Sequence, residues 1–496
     1  MKKIVIIGAG ISGLSAGVYA RQSGFDVTIY ESHTIPGGAS TSWRRKGYLF
    51  EGGMHWLTGS SPKTALNTLW REVGALDDSV TIYNRDPFFQ IETGGQTVCF
   101  YRDIERLRRH FLEISPEDKT EINVLCRDIR KFEALNIPVT DIKGLSAKNP
   151  RRMPLSAAFG VLPAIPRLSF YSKMSAAEYA QRFKSPALRE TLSQAIGPDF
   201  SSVGLLATLA THASGDGGYP VGGSLAMAGR MAEKFKELGG IIQYNTVVHR
   251  VNVRDGTAVG VELDSGPVEA DAVIITRDTL TAIDRLFEAP IHEPWAERMR
   301  KATTPTLDTF ISVGVETDLS GFPENSMFVS ETPLVCGGIK NSVIGLNLYA
   351  NGSFPSYAPE GCTAVTSSYV GDTYDFWKTC SENGTYAAEK EKLANAFIDL
   401  LAKRIPQTAG KVVVWDVATP LTYERYLHSY KGSWMSVMGK GPHAKPYPCQ
   451  PKGLRDVYFA GQRLQVPGGL PVALTTGRSA VQYLCRDTNT VFQGAI

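Results

Sequence analysis

The chain has 496 residues, 43% hydrophobic and 20% charged, with 52 Lys and Arg against 49 Asp and Glu. That length carries two or three domains and a large core, while a net charge of +3 supplies no basic field for a nucleic-acid partner. No run approaches about 20 uninterrupted apolar residues, so no membrane-spanning helix is expected.

Lys2 and Lys3 precede an apolar run, but glycines interrupt it and Asp26 and Glu31 follow too early for a secretory signal. The seven cysteines show no CxxC or Cys/His ligand spacing, which predicts neither a disulfide framework nor a metal site. Reduced thiols in a cytoplasmic protein are the expectation.

Ile4–Ile7 is a β-branched run suited to a strand buried on both faces. Gly8-Ala9-Gly10-Ile11-Ser12-Gly13 follows at once, Leu14 to Arg21 reads as a helix stopped by Gly24, and Val27–Tyr30 as a second strand ending at Glu31. These are the parts of a βαβ dinucleotide fingerprint, in order. Gly8 permits the tight turn, Gly10 lets the backbone approach a pyrophosphate, and Gly13 lets helix and sheet pack closely. The helix N-terminus, with Ile11 and Ser12, presents free N–H groups to phosphate. Glu31 is placed to accept from both ribose hydroxyls and repels a 2′-phosphate, arguing against NADP.

Ser32 and then Pro36-Gly37-Gly38-Ala39-Ser40 come next, followed by Lys46-Gly47-Tyr48-Leu49-Phe50-Glu51-Gly52-Gly53-Met54-His55-Trp56. This succession of an acid, a PGG segment and a GY-x-F-[DE]-x-G segment resembles flavin-dependent carotenoid desaturases, carotenoid isomerases and retinol saturases, within the flavin amine oxidase superfamily. The resemblance implies FAD as cofactor. It places Gly37, Gly38, Ala39, Ser40, Gly53, Met54 and His55 beside it. His55 is read as a hydrogen-bonded turn residue in preference to a base or covalent attachment point. Arg44 and Arg45 are equally open to pyrophosphate contact or solvent.

From Thr64 to about Ser214 the dinucleotide pattern stops. Val80–Phe100 reads as short strands with a Gly94-Gly95 hairpin, and Arg102–Leu135 as one charged helical stretch whose Arg106–His110 cluster is a solvated face. Asn149–Lys173 is an apolar, proline-broken element flanked by Arg151, Arg152, Arg167 and Lys173. It is the candidate for peripheral contact with anionic lipid on the inner face of a membrane, against a plain surface loop. Helices follow at Glu178–Ala195 and Ser201–Ala213, then GDGGYPVGG, a helix capped by Ser224, and a strand at Gly240–Ile242. The resemblance implies a backbone contact to adenine at Val248. AVIIT ending at Thr276 is another buried strand.

Alternating patterns between Thr303 and Trp377 predict a sheet with one face on a substrate chamber, followed by a helix over Ala387–Arg404. Gly432–Pro451 is a Gly/Pro/aromatic loop that offers Trp434, Met435 and Met438 to the pocket or to the core. Val457–Ala460 reads as a strand ending at Gly461, and a helix begins near Pro471. By resemblance, Gly461, Gly468, Gly469, Leu470, Pro471 and Val472 lie at the flavin ring, where a helix start stabilises negative charge on it. The PGGLPVALTTG run departs from the family's usual PGGG-x-PG form.

The expected fold is α/β: a discontinuous, Rossmann-like ββα FAD domain over 1–85, 215–295 and 426–496, a helical lid over 86–214, and a mixed α+β substrate sheet over 296–425. The expected reaction passes a hydride between flavin N5 and a C–C bond of an apolar, isoprenoid or polyene substrate. Desaturation, saturation and redox-neutral isomerisation stay open, with ESH…PGGA leaning toward the isomerase and saturase branch. No residue stands out as the catalyst, and none is needed if the developing cation spreads along a polyene. A flavin amine or porphyrinogen oxidase is the alternative, and a non-catalytic prenyl-lipid binder a more distant one. The electron acceptor, oxygen or a quinone, and the oligomeric state are not written in the motifs.

Overall fold

The computed structural model describes residues 1–133, 135, 139–152, 162–436 and 445–494. Its centre is a parallel five-stranded sheet in the order 241–243, 26–30, 3–7, 272–275, 457–459. The strand Lys3–Ile7 buries both faces, and the alternation sorts its side chains into two cores. Ile4 and Ile6, with Val27, Ile29 and Ile274, pack on Leu14 and Val18 of the helix Ile11–Gln22 and on Leu474 and Val481 of Gly469–Asp487. Val5 and Ile7, with Val273, Val457 and Phe459, pack on Val251, Val261 and Leu263 of an antiparallel meander over 250–269. Helices below and a small sheet above make the three ββα layers of a Rossmann-like flavin-binding fold, and the continuous apolar runs record that double burial.

A second, seven-stranded sheet runs 412–418, 308–315, 363–370, 339–350, 325–336, 89–93, 96–100. Along Asp308–Val315, Ile311, Val313 and Val315 face Leu393 and Phe397 of the helix Tyr386–Arg404. The alternate residues face the flavin-binding layers. Phe310 meets the Trp43 ring edge-on at 5.8 Å, and Gly314 leaves room for Tyr48, whose ring carbons lie 2.6 Å from where a Cβ would stand.

The expected single helix over 102–135 is two, Ile104–Ile114 and Lys119–Phe132, because Ser115 and Pro116 open a 3-10 turn between them. Likewise 178–195 divides into Ala176–Ala180 and Pro186–Gln194. Ser224 does not cap its helix, which starts at Gly223 after a left-handed Gly222. Its hydroxyl goes to Glu51 instead.

Most of the apolar part of the lipid-contact candidate, 153–161, lies outside the described residues. Two of its flanking cations are engaged with protein: Arg151 pairs with buried Glu72 and Arg167 with buried Asp128. Among the described residues no helix is long and apolar enough to cross a membrane.

Candidate functional site

The site begins where the strand Lys3–Ile7 ends. Gly8 adopts φ +101, and a Cβ on Gly13 would stand 1.9 Å from the Gly8 carbonyl oxygen. Only a bare Cα lets the helix press on this turn. Thr276, at the end of the neighbouring strand, locks the same turn by donating to the carbonyls of Ile7 (2.8 Å) and Gly8 (3.0 Å). The helix then opens at Gly10 with no side-chain cap, so its first N–H groups point into a cavity. Gly13 thus shapes the turn from behind, whereas Gly8, Gly10, Ile11 and Ser12 line the cavity.

The PGG segment closes over that opening. Gly37 N–H donates to the Ala9 carbonyl at 2.9 Å, and Gly37 and Gly38 both hold positive φ. Gly37, Gly38, Ala39 and Ser40 line the cavity. Glu31 accepts from the Ala9 N–H (2.7 Å) and the His33 N–H (2.8 Å), so the acid also ties the glycine turn to the second strand. Ser32, Thr246 and Val248 complete that end.

Glu51 builds the next wall. Its buried carboxylate accepts from the N–H groups of Gly53 (2.9 Å), Met54 (3.1 Å) and Ser224 (2.9 Å) and from the hydroxyls of Ser224 (2.6 Å) and Tyr219 (3.0 Å). Burial raises its pKa, and the Ser224, Gly53 and Tyr219 bonds act against that rise. The result is a folded-back loop that sends Gly53 and His55 to the cavity and Met54 into the core, 3% exposed. Met54 therefore reaches the cavity with no side-chain atom, contrary to expectation. His55 is exposed to the open space of the cavity, with protein packed around it. Burial, then the charge of Arg85, hold its pKa down to about 4, leaving a neutral imidazole.

The chain returns at Gly461, φ +144. Gln462 accepts from the Gly469 N–H at 3.0 Å and donates to the Trp434 carbonyl, clamping the start of the helix Gly469–Asp487. That helix begins two residues before the expected Pro471. Gly461, Gly469 and Leu470 line the cavity with Ala473 one turn on, while Gly468, Pro471 and Val472 do not. Gly477 permits the close crossing of the first helix, since its Cβ would fall 2.4 Å from the Ser12 carbonyl oxygen.

Beyond Gly461 the cavity, about 250 Å³ in volume, continues to the seven-stranded sheet. There it meets Asp308, Phe310, Ser368, Tyr423, His428 and Trp434. Arg463 and Asp278 form a buried ion pair on its floor, with Arg463 also donating to Ser433 (2.9 Å) and Ser436 (2.6 Å). Of the three side chains left open between pocket and core, Trp434 reaches the cavity; Met435 lies in a short strand and is not among the lining residues; Met438 is outside the described residues. Arg44 and Arg45 lie elsewhere, on the Gly47 and Ser356 carbonyls and on Asp416. Thr276, Gln462, Asp278 and Asp308 were missed, because each acts through partners distant in sequence.

The donor set fits a dinucleotide. The uncapped helix faces a cradle that Cβ atoms would fill, and Ser40 Oγ and Arg277 Nε are buried there without a protein partner. Among the described residues no group of His, Cys, Asp and Glu could hold a metal ion.

Fold and site together define a flavoprotein oxidoreductase built on a Rossmann-like sheet. The chain belongs to the flavin containing amine oxidoreductase family, whose profile matches residues 11–485, and it is an FAD-dependent oxidoreductase. It is similar to prolycopene isomerase of Daucus carota, 28% identical over 92% of this chain and 74% of the relative. It is also similar to a lycopene-forming phytoene desaturase of a Paracoccus species, 23% identical over 98% of both chains. Among solved structures, cyclohexylamine oxidase of Brevibacterium oxydans shares the fold, with TM-score 0.62 and 15% identity over 98% of this chain and 99% of that one.

Proposed function

We propose that the enzyme acts on an apolar isoprenoid or polyene chain, desaturating, saturating or isomerising it. The observation that carries this reading is that the cavity continues past Gly461 to Phe310, Tyr423 and Trp434 of the substrate side, an aromatic lining that suits an apolar ligand. His55 also lines a small adjoining pocket where Trp56, Phe88 and Phe89 stand with Arg85, His212 and Asn325. The near full-length similarity to an isomerase and a desaturase of carotenes supports the polyene reading.

In this reading the stretches 1–85, 215–295 and 426–496 form the FAD domain, the insert 86–214 the lid, and 296–425 the sheet over the substrate. Gly10, Ile11 and Ser12 would hold the pyrophosphate, Glu31 the adenosine ribose and Val248 the adenine. Gly37 to Ser40 and Gly53 would flank the ribityl chain, and Gly461, Gly469 and Leu470 the ring. When bound, FAD supplies hydride transfer at its ring N5. The N–H groups opening the helix Gly469–Asp487 face developing negative charge there. His55 stays neutral beside the cavity. The aromatic walls exclude water, so a positive charge developing on a polyene is not captured by it.

A second reading, oxidation of an amine, draws on Asp308, a carboxylate in the cavity. Anaerobic absorbance spectroscopy separates the two. The purified protein is expected to show oxidised-flavin bands, and phytoene, cis-lycopene or retinol to bleach them, to reoxidise the dithionite-reduced enzyme, or to change isomer with no net bleaching. Bleaching by cyclohexylamine, with no response to any polyene, would reject the polyene assignment.

A further inference from the structure

Asp308 is a buried carboxylate that stands where the cavity meets the seven-stranded sheet. It is 5% exposed, stands first in the strand Asp308–Val315, and lines the flavin cavity. Its partners are neutral: the Ser368 hydroxyl (2.9 Å) and the Tyr369 N–H (3.0 Å), both donating to Oδ1, with the Thr309 N–H assisting. Three other buried acids carry a cation. Asp278 has Arg463, Asp128 has Arg167 and Glu72 has Arg151. Glu51, Asp118, Asp216 and Glu31 accept, like Asp308, from N–H groups and hydroxyls; of these four, Glu31 lines the cavity, at the end opposite Asp308, beside the glycine turn. Among the described residues no Lys, Arg or His pairs with Asp308. Burial does lift its pKa to about 6, which still leaves it ionised at neutral pH.

An ionised carboxylate out of water and without a cation costs several kcal/mol, a cost that proteins concentrate at functional sites. Phe310 follows it on the same face of the strand, and Trp434, His428 and Ser368 line the same cavity, so a ligand cation beside Asp308 would have aromatic as well as polar neighbours.

Resting on the polyene reading above, we infer that Asp308 supplies the counter-charge for a positive centre on the ligand, and so selects an apolar chain that carries or develops a cation beside it. One ligand chemistry, a cation flanked by hydrocarbon, covers a charge developing along a polyene and a resident ammonium group. Asp308 is here a residue of specificity, and no proton transfer is assigned to it.

The test is binding to the flavin-loaded protein, read by tryptophan fluorescence and calorimetry. The probes are farnesene, protonated N,N-dimethylfarnesylamine and cyclohexylamine. At pH 8 the dimethylamine is expected to bind at least about tenfold more tightly than farnesene, the scale of a close desolvated charge pair. Asp308→Asn should abolish that preference while leaving farnesene affinity and flavin content unchanged.

The wild-type protein carries the test even if the variant fails to fold. Between pH 8 and pH 5 the preference should collapse as Asp308 gains its proton, since the amine stays charged throughout. The titratable groups packed on Asp308 are the Tyr369 and Tyr423 phenols and the Cys336 thiol, all held above their usual pKa and uncharged over that range. Equal affinity for amine and hydrocarbon at pH 8, or a preference that survives Asp308→Asn, would overturn the proposal. Tight cyclohexylamine binding through Asp308 with no farnesene binding would leave Asp308 in its role and reject the polyene reading.

Discussion

The Glu51 carboxylate accepts both the backbone N–H (2.9 Å) and the hydroxyl (2.6 Å) of Ser224. These two residues stand 173 positions apart, and their contact joins the loop that carries His55 to the helix Gly223–Glu237. The loop shape, and with it one wall of the cavity, depends on a carboxylate anchored to the foot of another element.

Glu51→Ala is therefore expected to leave several buried donors unsatisfied, at about 1–3 kcal/mol each before relaxation. Thermal unfolding should fall sharply and the purified protein should carry little flavin. Glu51→Gln keeps the volume and one acceptor oxygen, and should lie between. A Glu51→Ala protein with normal unfolding temperature and flavin content would show that Ser224 and Tyr219 hold the loop alone.

Gly10 and Gly13 should fail differently on substitution by alanine. At Gly13 the new methyl would collide with backbone, 1.9 Å from the Gly8 oxygen, so both stability and flavin content should drop. At Gly10 the nearest protein atoms lie 3.9 Å away, an ordinary contact, so that protein should fold with near-normal stability and lose flavin through crowding at the pyrophosphate. The comparison needs only denaturant titration of the apoproteins beside the flavin absorbance of each. Equal loss of stability in both would reject the distinction.

These two glycines show what the sequence made legible. Their spacing with Glu31 is local, so a strand, a turn, a helix and an acid could be read in order, and the double burial of Ile4–Ile7 followed from its unbroken apolar run. Pro116 was equally visible as a helix break, and the charged periodicity around it hid the signal. Glu51 stood inside a recognised motif, yet its task is set by Ser224 and Tyr219, which no local pattern connects to it. Asp308 carried no signal at all. Its neighbours Phe310 and Ile311 announce a strand, and the lack of a counter-ion exists only in three dimensions.

His212 is 6% exposed and stacked on Phe88 at 3.9 Å. Burial first, then the charges of Arg102 and Arg85, push its pKa down to about 3, against about 6.5 in an unfolded chain. The unfolded state thus binds the proton first. Stability is full above pH 6.5 and is lost progressively as pH falls from there toward 3. His212→Gln should flatten this acid limb in urea titrations between pH 7 and 5, and an unchanged slope would assign the limb to other groups.

Asp308 has the opposite sign. Its folded pKa, raised to about 6, lies above the unfolded value of about 3.9, so the native state holds the proton longer. Stability is lost as pH rises between those values and stays lower above them. Asp308→Asn, whose carbonyl can still accept from Ser368 and Tyr369, should be more stable than wild type at pH 8 by about 1–3 kcal/mol. The gain should vanish below pH 4. A destabilised variant at pH 8 would mean that the charge is compensated in the free enzyme.

The five strands of the central sheet come from residues 3–7, 26–30, 241–243, 272–275 and 457–459, which bears on how the enzyme is made. A chain leaving the ribosome exposes its first βα unit long before the partners on either side of it exist. The apolar faces of Ile4–Ile7 must wait for Ala272–Ile275, and that pair for Val457–Phe459. Contacts of such sequence separation close late and slowly, with sticky strand edges exposed meanwhile. The two walls of the cavity, 8–12 and 461–473, therefore meet only after more than 450 residues of chain have been made.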